Sequence, residues 1–139
     1  MILLDTNVIS ELMKSTPDGQ VEHWFLLNED LCHISAVSIG ELAYGIAKLD
    51  DGKRKAMLGE QLTEWRLRYG DRTDMFDSGT ALLYGDMLAA ARRAGKPMSL
   101  PDAQIAAIAR HQGYSLATRN IRDFETTGLD LIDPWQSRT

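Results

Sequence analysis

The sequence predicts an α/β chain in which a mostly parallel central sheet is sandwiched by helices into three α/β/α layers. Three observations lead there. Short apolar runs alternate with longer segments whose apolar residues recur at helical spacing. The opening run, Ile2–Leu4, is continuously apolar, as strands covered on both faces are. Several acids fall just where a run ends or a helix begins, the edge on which open parallel sheets build their sites.

Taken in order, residues 2–4 read as a buried strand, and Thr6 is placed to cap a helix over 7–13. Pro17 and Gly19 break the chain. Val21, Trp24 and Phe25 give helical spacing over 21–27. A second strand is expected at 31–35, then a helix over 37–49 with Ile39, Leu42, Ala43 and Ile46 on one side. The segment 53–69 is amphipathic through Met57, Leu58, Leu62, Trp65 and Tyr69. A weaker strand at 73–76 leads to Asp77. The next helix starts at Ser78 or Gly79 and stops at Gly95, where a C-terminal glycine is expected. Pro101 suits the first turn of a helix over 102–111, since its missing N–H is no loss there, and Gly113 ends it. A strand at 115–118, a single turn at 120–124 and an edge strand at 129–132 complete the reading.

A chain of 139 residues fits one domain over 1–139. It is long enough to bury a core without disulfide staples. The lone Cys32 cannot form an internal disulfide, which points to a reducing, cytoplasmic setting. The N-terminus lacks the basic opening and length of a signal peptide. No apolar run approaches the ~20 residues of a membrane span. The net charge of −5 argues against nucleic-acid binding by overall basicity, but not against an enzyme with acids in one pocket and arginines at its rim.

Asp5 follows the first strand. Glu41 lies early in the helix after the second. Asp102 opens the helix after Pro101, and Asn120 and Asp123 follow the strand at 115–118. Each has a purely structural reading as well. Asp5 suits a helix start. Ser38 and Glu41 match an S-x-x-E capping box. Asp102 meets a helix dipole. Asn120 and Asp123 have the spacing of a cap and its third residue. Capping accounts for each acid separately, whereas a metal site requires them all on one edge. Clustered carboxylates repel and call for a cation. Their hard oxygens suit magnesium or manganese better than zinc.

The blocks Leu3-Leu4-Asp5-Thr6-Asn7-Val8-Ile9, Ser35-Ala36-Val37-Ser38-Ile39-Gly40-Glu41-Leu42 with Tyr44-Gly45, Pro101-Asp102-Ala103-Gln104-Ile105-Ala106-Ala107-Ile108-Ala109 and Leu116-Ala117-Thr118-Arg119-Asn120-Ile121-Arg122-Asp123-Phe124 resemble those of PIN-domain nucleases. Asp133-Pro134-Trp135 resembles the tail of the FitB-like subgroup. The blocks are in order and span nearly the whole chain. The resemblance implies a VapC-type toxin of a toxin–antitoxin pair: a magnesium-dependent endoribonuclease, with manganese as a substitute, that cleaves RNA phosphodiesters by metal-activated water. It implies Asp5, Glu41, Asp102 and Asp123 as the acidic cluster, with Asp5 and Asp102 on the metal. Thr6, Thr118 and Asn120 resemble the family's supporting polar residues. Many relatives carry an acid at the position of Asn120, a departure that leaves the fourth acid between Asn120 and Asp123 and the number of metals open. The implied partners are RNA, a cognate antitoxin, a second copy in a homodimer, and a toxin–antitoxin hetero-oligomer.

Other chemistries find less support. His23, His33 and His111 lack metal-ligand spacing, and no serine sits in a G-x-S-x-G turn. Trp24, Trp65 and Trp135 read as packing groups, and Arg66, Arg68 and Arg72 as a solvated face. Arg119 and Arg122 flank the site and are candidate contacts to RNA phosphates. A receiver-type signalling module needs a lysine where this chain has Arg119 and Asn120. An aspartate-dependent phosphatase needs a second acid where it has Asn7. A non-catalytic PIN-like binding module remains the alternative to the nuclease.

Overall fold

A computed structural model describes residues 1–136. Strands β1 (Ile2–Leu4), β2 (Cys32–Ser35), β3 (Thr73–Asp74), β4 (Ser115–Ala117) and β5 (Leu131–Ile132) make one sheet in the order β3-β2-β1-β4-β5. Every pairing is parallel, with Ile2 opposite both Cys32 and Ser115. The chain builds outward from β1 on one side and then returns to its other side. That reversal places a topological switch point between β1 and β4, where the loops diverge and leave a crevice.

Among the described residues, six α-helices cover the sheet: α1 (Thr6–Leu12), α2 (Gly19–Asn28), α3 (Ala36–Ala47), α4 (Lys53–Arg68), α5 (Ser78–Arg93) and α6 (Leu100–Gln112). Side chains alternate along a strand, so β1 and β4 feed two cores, one on each face of the sheet. Ile2, Leu4, Cys32 and Ile34 face a core with Val8, Ile9, Val21, Phe25 and Tyr69, flanked by Leu42, Leu62 and Trp65. Leu3 and Leu116 point the other way, against Met87, Ile105, Ile108 and Phe124. The result is the expected three-layer sandwich. Parallel strands buried on both faces favour unbroken apolar runs, as β1 has. No helix among the described residues is long and apolar enough to cross a membrane.

Three local expectations are corrected. Thr6 does not cap α1: Asp5 does, its carboxylate accepting the Thr6 N–H at 2.8 Å. The Ser38–Glu41 capping box does not form. The α3 helix starts earlier, because Ser35 leaves β2 extended and its hydroxyl accepts the Ser38 N–H at 3.0 Å. Ser38 and Glu41 are thereby released from capping. At Ile121–Phe124 the 3-10 turn has no side-chain cap, and the Asp123 N–H bonds the Asn120 carbonyl instead.

The presumed solvated arginines are also not alike. Arg72 is half-buried, stacks on the Tyr69 ring at 4.4 Å and donates to the carbonyls of Glu29 and Cys32. Arg68 pairs with Glu29. Arg68 thus ties the end of α4, and Arg72 the turn after it, to the segment that leads into β2. The Cys32 thiol is fully buried and pushed up to about 12 by that burial, so it is inert at neutral pH.

Leu3 sits at 0% exposure on the central strand. Truncating it leaves a cavity bounded by the strand pairings on either side, which cannot collapse freely. Leu3→Ala is expected to cost about 3 kcal/mol of unfolding free energy, read as a lower urea midpoint at unchanged slope.

Candidate metal centre

The carboxyl ends of β1 and β4 lie side by side at the switch point, and both deliver a polar residue there. Asp5 leaves β1 and is 3% exposed. Its backbone N–H still bonds the Ala117 carbonyl at 2.9 Å, so the sheet itself fixes its Cα. Its side chain accepts from the Thr6 N–H (2.8 Å), the Thr118 hydroxyl (2.8 Å) and the Asn7 amide (3.2 Å). Thr118, fully buried just past β4, is held in turn by the Asn120 N–H at 3.0 Å.

Glu41 comes from the second turn of α3 and accepts the Thr6 hydroxyl at 2.6 Å. Asp102 comes from the first turn of α6, where its N–H bonds the Ser99 hydroxyl that caps the helix. Asp5, Thr6, Asn7, Glu41, Asp102 and Asn120 all line one cleft of about 580 Å³. Four chain segments thus converge on a single hollow. Asp123 does not line it, but is close enough to raise the Asp102 carboxyl.

The electrostatics follow from this crowding. Burial pushes Asp5 up to about 6; the bonds from Thr118 and Thr6 oppose this, while the charges of Asp102 and Glu41 add to it. Asp102 is also raised, first by burial, with the Ser99 hydroxyl opposing and Asp123 and Glu41 adding. Among the described residues, none of Asp5, Glu41, Asp102 and Asp123 has a Lys, Arg or His within ion-pair distance. A buried carboxylate without a counter-charge is an unfavourable arrangement that a divalent cation relieves. The donors are all hard oxygens, a set whose chemistry fits magnesium or manganese. Among the described residues, no group of three His, Cys, Asp or Glu side chains is already gathered tightly enough to hold an ion. That is compatible with magnesium, which keeps several waters and takes few protein ligands.

The rest of the cleft differs in character. Met13, Leu42, Ile46, Leu49 and Leu58 form an apolar wall, and Lys14 and Arg54 are its cationic lining residues. Lys14 is bonded to Glu11 at 2.9 Å. The wall and the cations were not singled out in the sequence. In the sequence Leu42, Ile46 and Leu58 are ordinary stripe positions, and no local pattern shows that α3 and α4 leave a gap there. Asn7 was missed too, although its place two residues after Asp5 suits an amide that reaches back to a carboxylate. Arg119 and Arg122 are exposed and do not line the cleft. Arg119 lies over the Trp135 ring at 5.1 Å.

The Asp5 shift has a thermodynamic consequence in metal-free protein. A carboxyl raised in the fold holds its proton more firmly there than in the unfolded chain. Its contribution to stability is therefore full below the ordinary aspartate range and is lost as pH rises through about 6. Asp5→Asn removes that loss. In EDTA, the variant is expected to gain about 2 kcal/mol on the wild type between pH 4 and pH 7, measured by urea unfolding. A constant difference across that range would contradict the assigned burial.

Comparison with known proteins is consistent with this geometry. The PIN domain family model matches residues 2–128. A VapC ribonuclease of Sinorhizobium fredii is 38% identical, over 98% of this chain and 99% of its own length. Toxin FitB of Neisseria gonorrhoeae is 36% identical, over 97% of this chain and 99% of its own. A solved structure of FitAB bound to a DNA fragment superposes with a TM-score of 0.90 at 33% identity, covering 100% of this chain and 99% of that one. With its family model matched almost end to end and its acids at the sheet's switch point, this chain belongs to the PIN domain family.

Proposed function

We propose that this protein is a divalent-metal-dependent endoribonuclease, the toxin half of a VapC-type toxin–antitoxin pair, built as one PIN domain over residues 1–139. The observation that carries the reading is the convergence of Asp5, Glu41 and Asp102, from three distant segments, on one cleft, with no cationic side chain within ion-pair distance of them among the described residues. The name of one relative, a VapC ribonuclease, supports RNA as the substrate, and that of another, toxin FitB, supports the toxin role.

Asp5 and Asp102 are the carboxylates assigned to hold magnesium, or manganese in its place. When bound, such an ion makes a water more acidic and offsets the charge that builds up on a phosphodiester under attack. The protein's own residues orient the reaction. The Thr6 N–H and the Thr118 hydroxyl keep both Asp5 oxygens fixed in direction. Glu41 has one oxygen bound to Thr6 and is assigned here as the acceptor of the attacking water's proton. Asp123, beside Asp102, completes the acidic set, with Asn120 on the cleft wall. The water oxygen bonds phosphorus, the phosphorus–oxygen bond of the chain breaks, and the leaving oxygen takes up a proton. Arg119 and Arg122 are assigned to RNA phosphates beyond the cleft.

The apolar wall beside the acids supports the partner assignment. A segment with an apolar face would cover Met13, Leu42 and Ile46 while an arginine or lysine entered the acidic end in place of the cation. An antitoxin of that kind would inhibit by occupying the site; the similar solved structure is of FitAB bound to a DNA fragment.

Purified protein is expected to cleave RNA in magnesium and to lose cleavage in EDTA. Asp5→Asn, Glu41→Gln and Asp102→Asn should each lower the rate at least about 100-fold. Cleavage that persists in EDTA, or in the Asp5 variant, would overturn the mechanism. Magnesium should raise the melting temperature of the wild type and leave that of Asp5→Asn unmoved, because a ligand stabilises only the state that binds it. Magnesium binding with no cleavage of any RNA would shift the reading to a non-catalytic binding module.

A further inference from the structure

Behind the Thr6–Glu41 bond stand two further hydroxyls, those of Ser38 and Ser35, that the mechanism above does not use. The Ser35 hydroxyl accepts the Ser38 N–H at 3.0 Å and donates to the Ser38 hydroxyl at 3.3 Å. Ser38 Oγ lies 2.8 Å from Thr6 Oγ1, which lies 2.6 Å from Glu41 Oε1. Ser35 and Ser38 are both fully buried.

The direction of every bond in this chain follows from proton counting. A carboxylate only accepts, so Thr6 must spend its single hydroxyl proton on Glu41. The Ser38–Thr6 bond is then donated by Ser38, which leaves Ser38 to accept from Ser35. Ser35 in turn takes the backbone N–H. All three hydroxyl protons point toward Glu41, and no rotor has an alternative partner in the chain. Hydrogen bonds aligned this way polarise one another and strengthen the last one. They also tie α3, which carries Glu41, to the first residue of α1, beside Asp5.

We propose that Ser38 is a positioning residue for Glu41, acting through the Thr6 hydroxyl to hold the carboxylate at the cleft in one orientation. The inference rests on the nuclease reading for what Glu41 does, but not for the geometry. Ser35 feeds the chain and also caps α3, so its two roles can be told apart from that of Ser38.

The test is a double-mutant cycle on the full-length protein. Ser38→Ala is expected to lower kcat for RNA cleavage about tenfold with KM nearly unchanged, the size of effect that supporting partners of a metal site produce. Thr6→Val should lose at least as much, and Thr6→Ser, which keeps the hydroxyl, should stay within about threefold of wild type. Adding Ser38→Ala to Thr6→Val should cost nothing further, because the path to Glu41 is already cut. Ser35→Ala should lower the melting temperature of metal-free protein at least as much as Ser38→Ala while costing less turnover. Losses at Ser38 and Thr6 that multiply, or turnover that merely tracks melting temperature, would overturn the proposal. Calorimetric titration with manganese alone gives a readout independent of activity. Ser38→Ala should weaken binding about threefold in the wild-type background and not in Thr6→Val. If the wild type cleaves no RNA, the nuclease reading fails by itself and this series still decides: equal manganese affinity in wild type and Ser38→Ala would sink the relay.

Discussion

Asp5 is the point on which the molecule turns. Its backbone closes the β1–β4 pairing at Ala117, its carboxylate caps α1 through Thr6, and the same carboxylate receives the Thr118 hydroxyl from across the sheet. Burial makes its charge costly, and the bonds from Thr6, Asn7 and Thr118 offset only part of that cost. A residue so placed is a poor choice for stability alone. An uncharged side chain could cap the helix without the penalty. The buried Asp5 carboxylate is the kind of arrangement that the proposed cation would relieve.

The switch point explains why the other acids arrive where they do. The chain reverses its direction of growth across the sheet between β1 and β4, so the loops after these strands part and leave a crevice. Helices α3 and α6 start beside it from opposite layers and present Glu41 and Asp102 within their first two turns. Secondary structure anchors all three acids, which keeps their relative positions stiffer than long loops would. The cleft continues past the acids along α1, α3 and α4, where its wall becomes apolar. One end thus suits a phosphodiester and a cation, and the other a folded partner's side chains.

Much of this was legible in the sequence because it depends on local rules. The continuous run Ile2–Leu4, the Pro101 start and Gly113 stop of α6, and the order of apolar runs and helical stripes all express short-range constraints, and the structure follows them. In α6, Gly113 adopts the left-handed φ of 76° that the stop requires. The capping assignments failed for a related reason. Ser35 and Ser38 both offer a hydroxyl three residues before a plausible partner, and only the point at which β2 ends selects between them. Arg72 was misread because a charged residue near a helix end looks solvated until the carbonyls of Glu29 and Cys32 are brought beside it.

By itself, the sequence determined the alternation of strands and helices, the segregation of apolar residues, and the appearance of acids at strand exits, since periodicity and turn chemistry act over a few residues. Only the tertiary structure decided that Asp5, Glu41 and Asp102 share one cleft while Asp123 stands beside it, that Lys14 and Arg54 line the same hollow, and that Ser38 reaches Glu41 through Thr6. Those relations join residues up to 113 positions apart, as Asp5 and Thr118 are. No local pattern encodes such distances, because they arise from how the parallel crossovers stack the strand ends against one another.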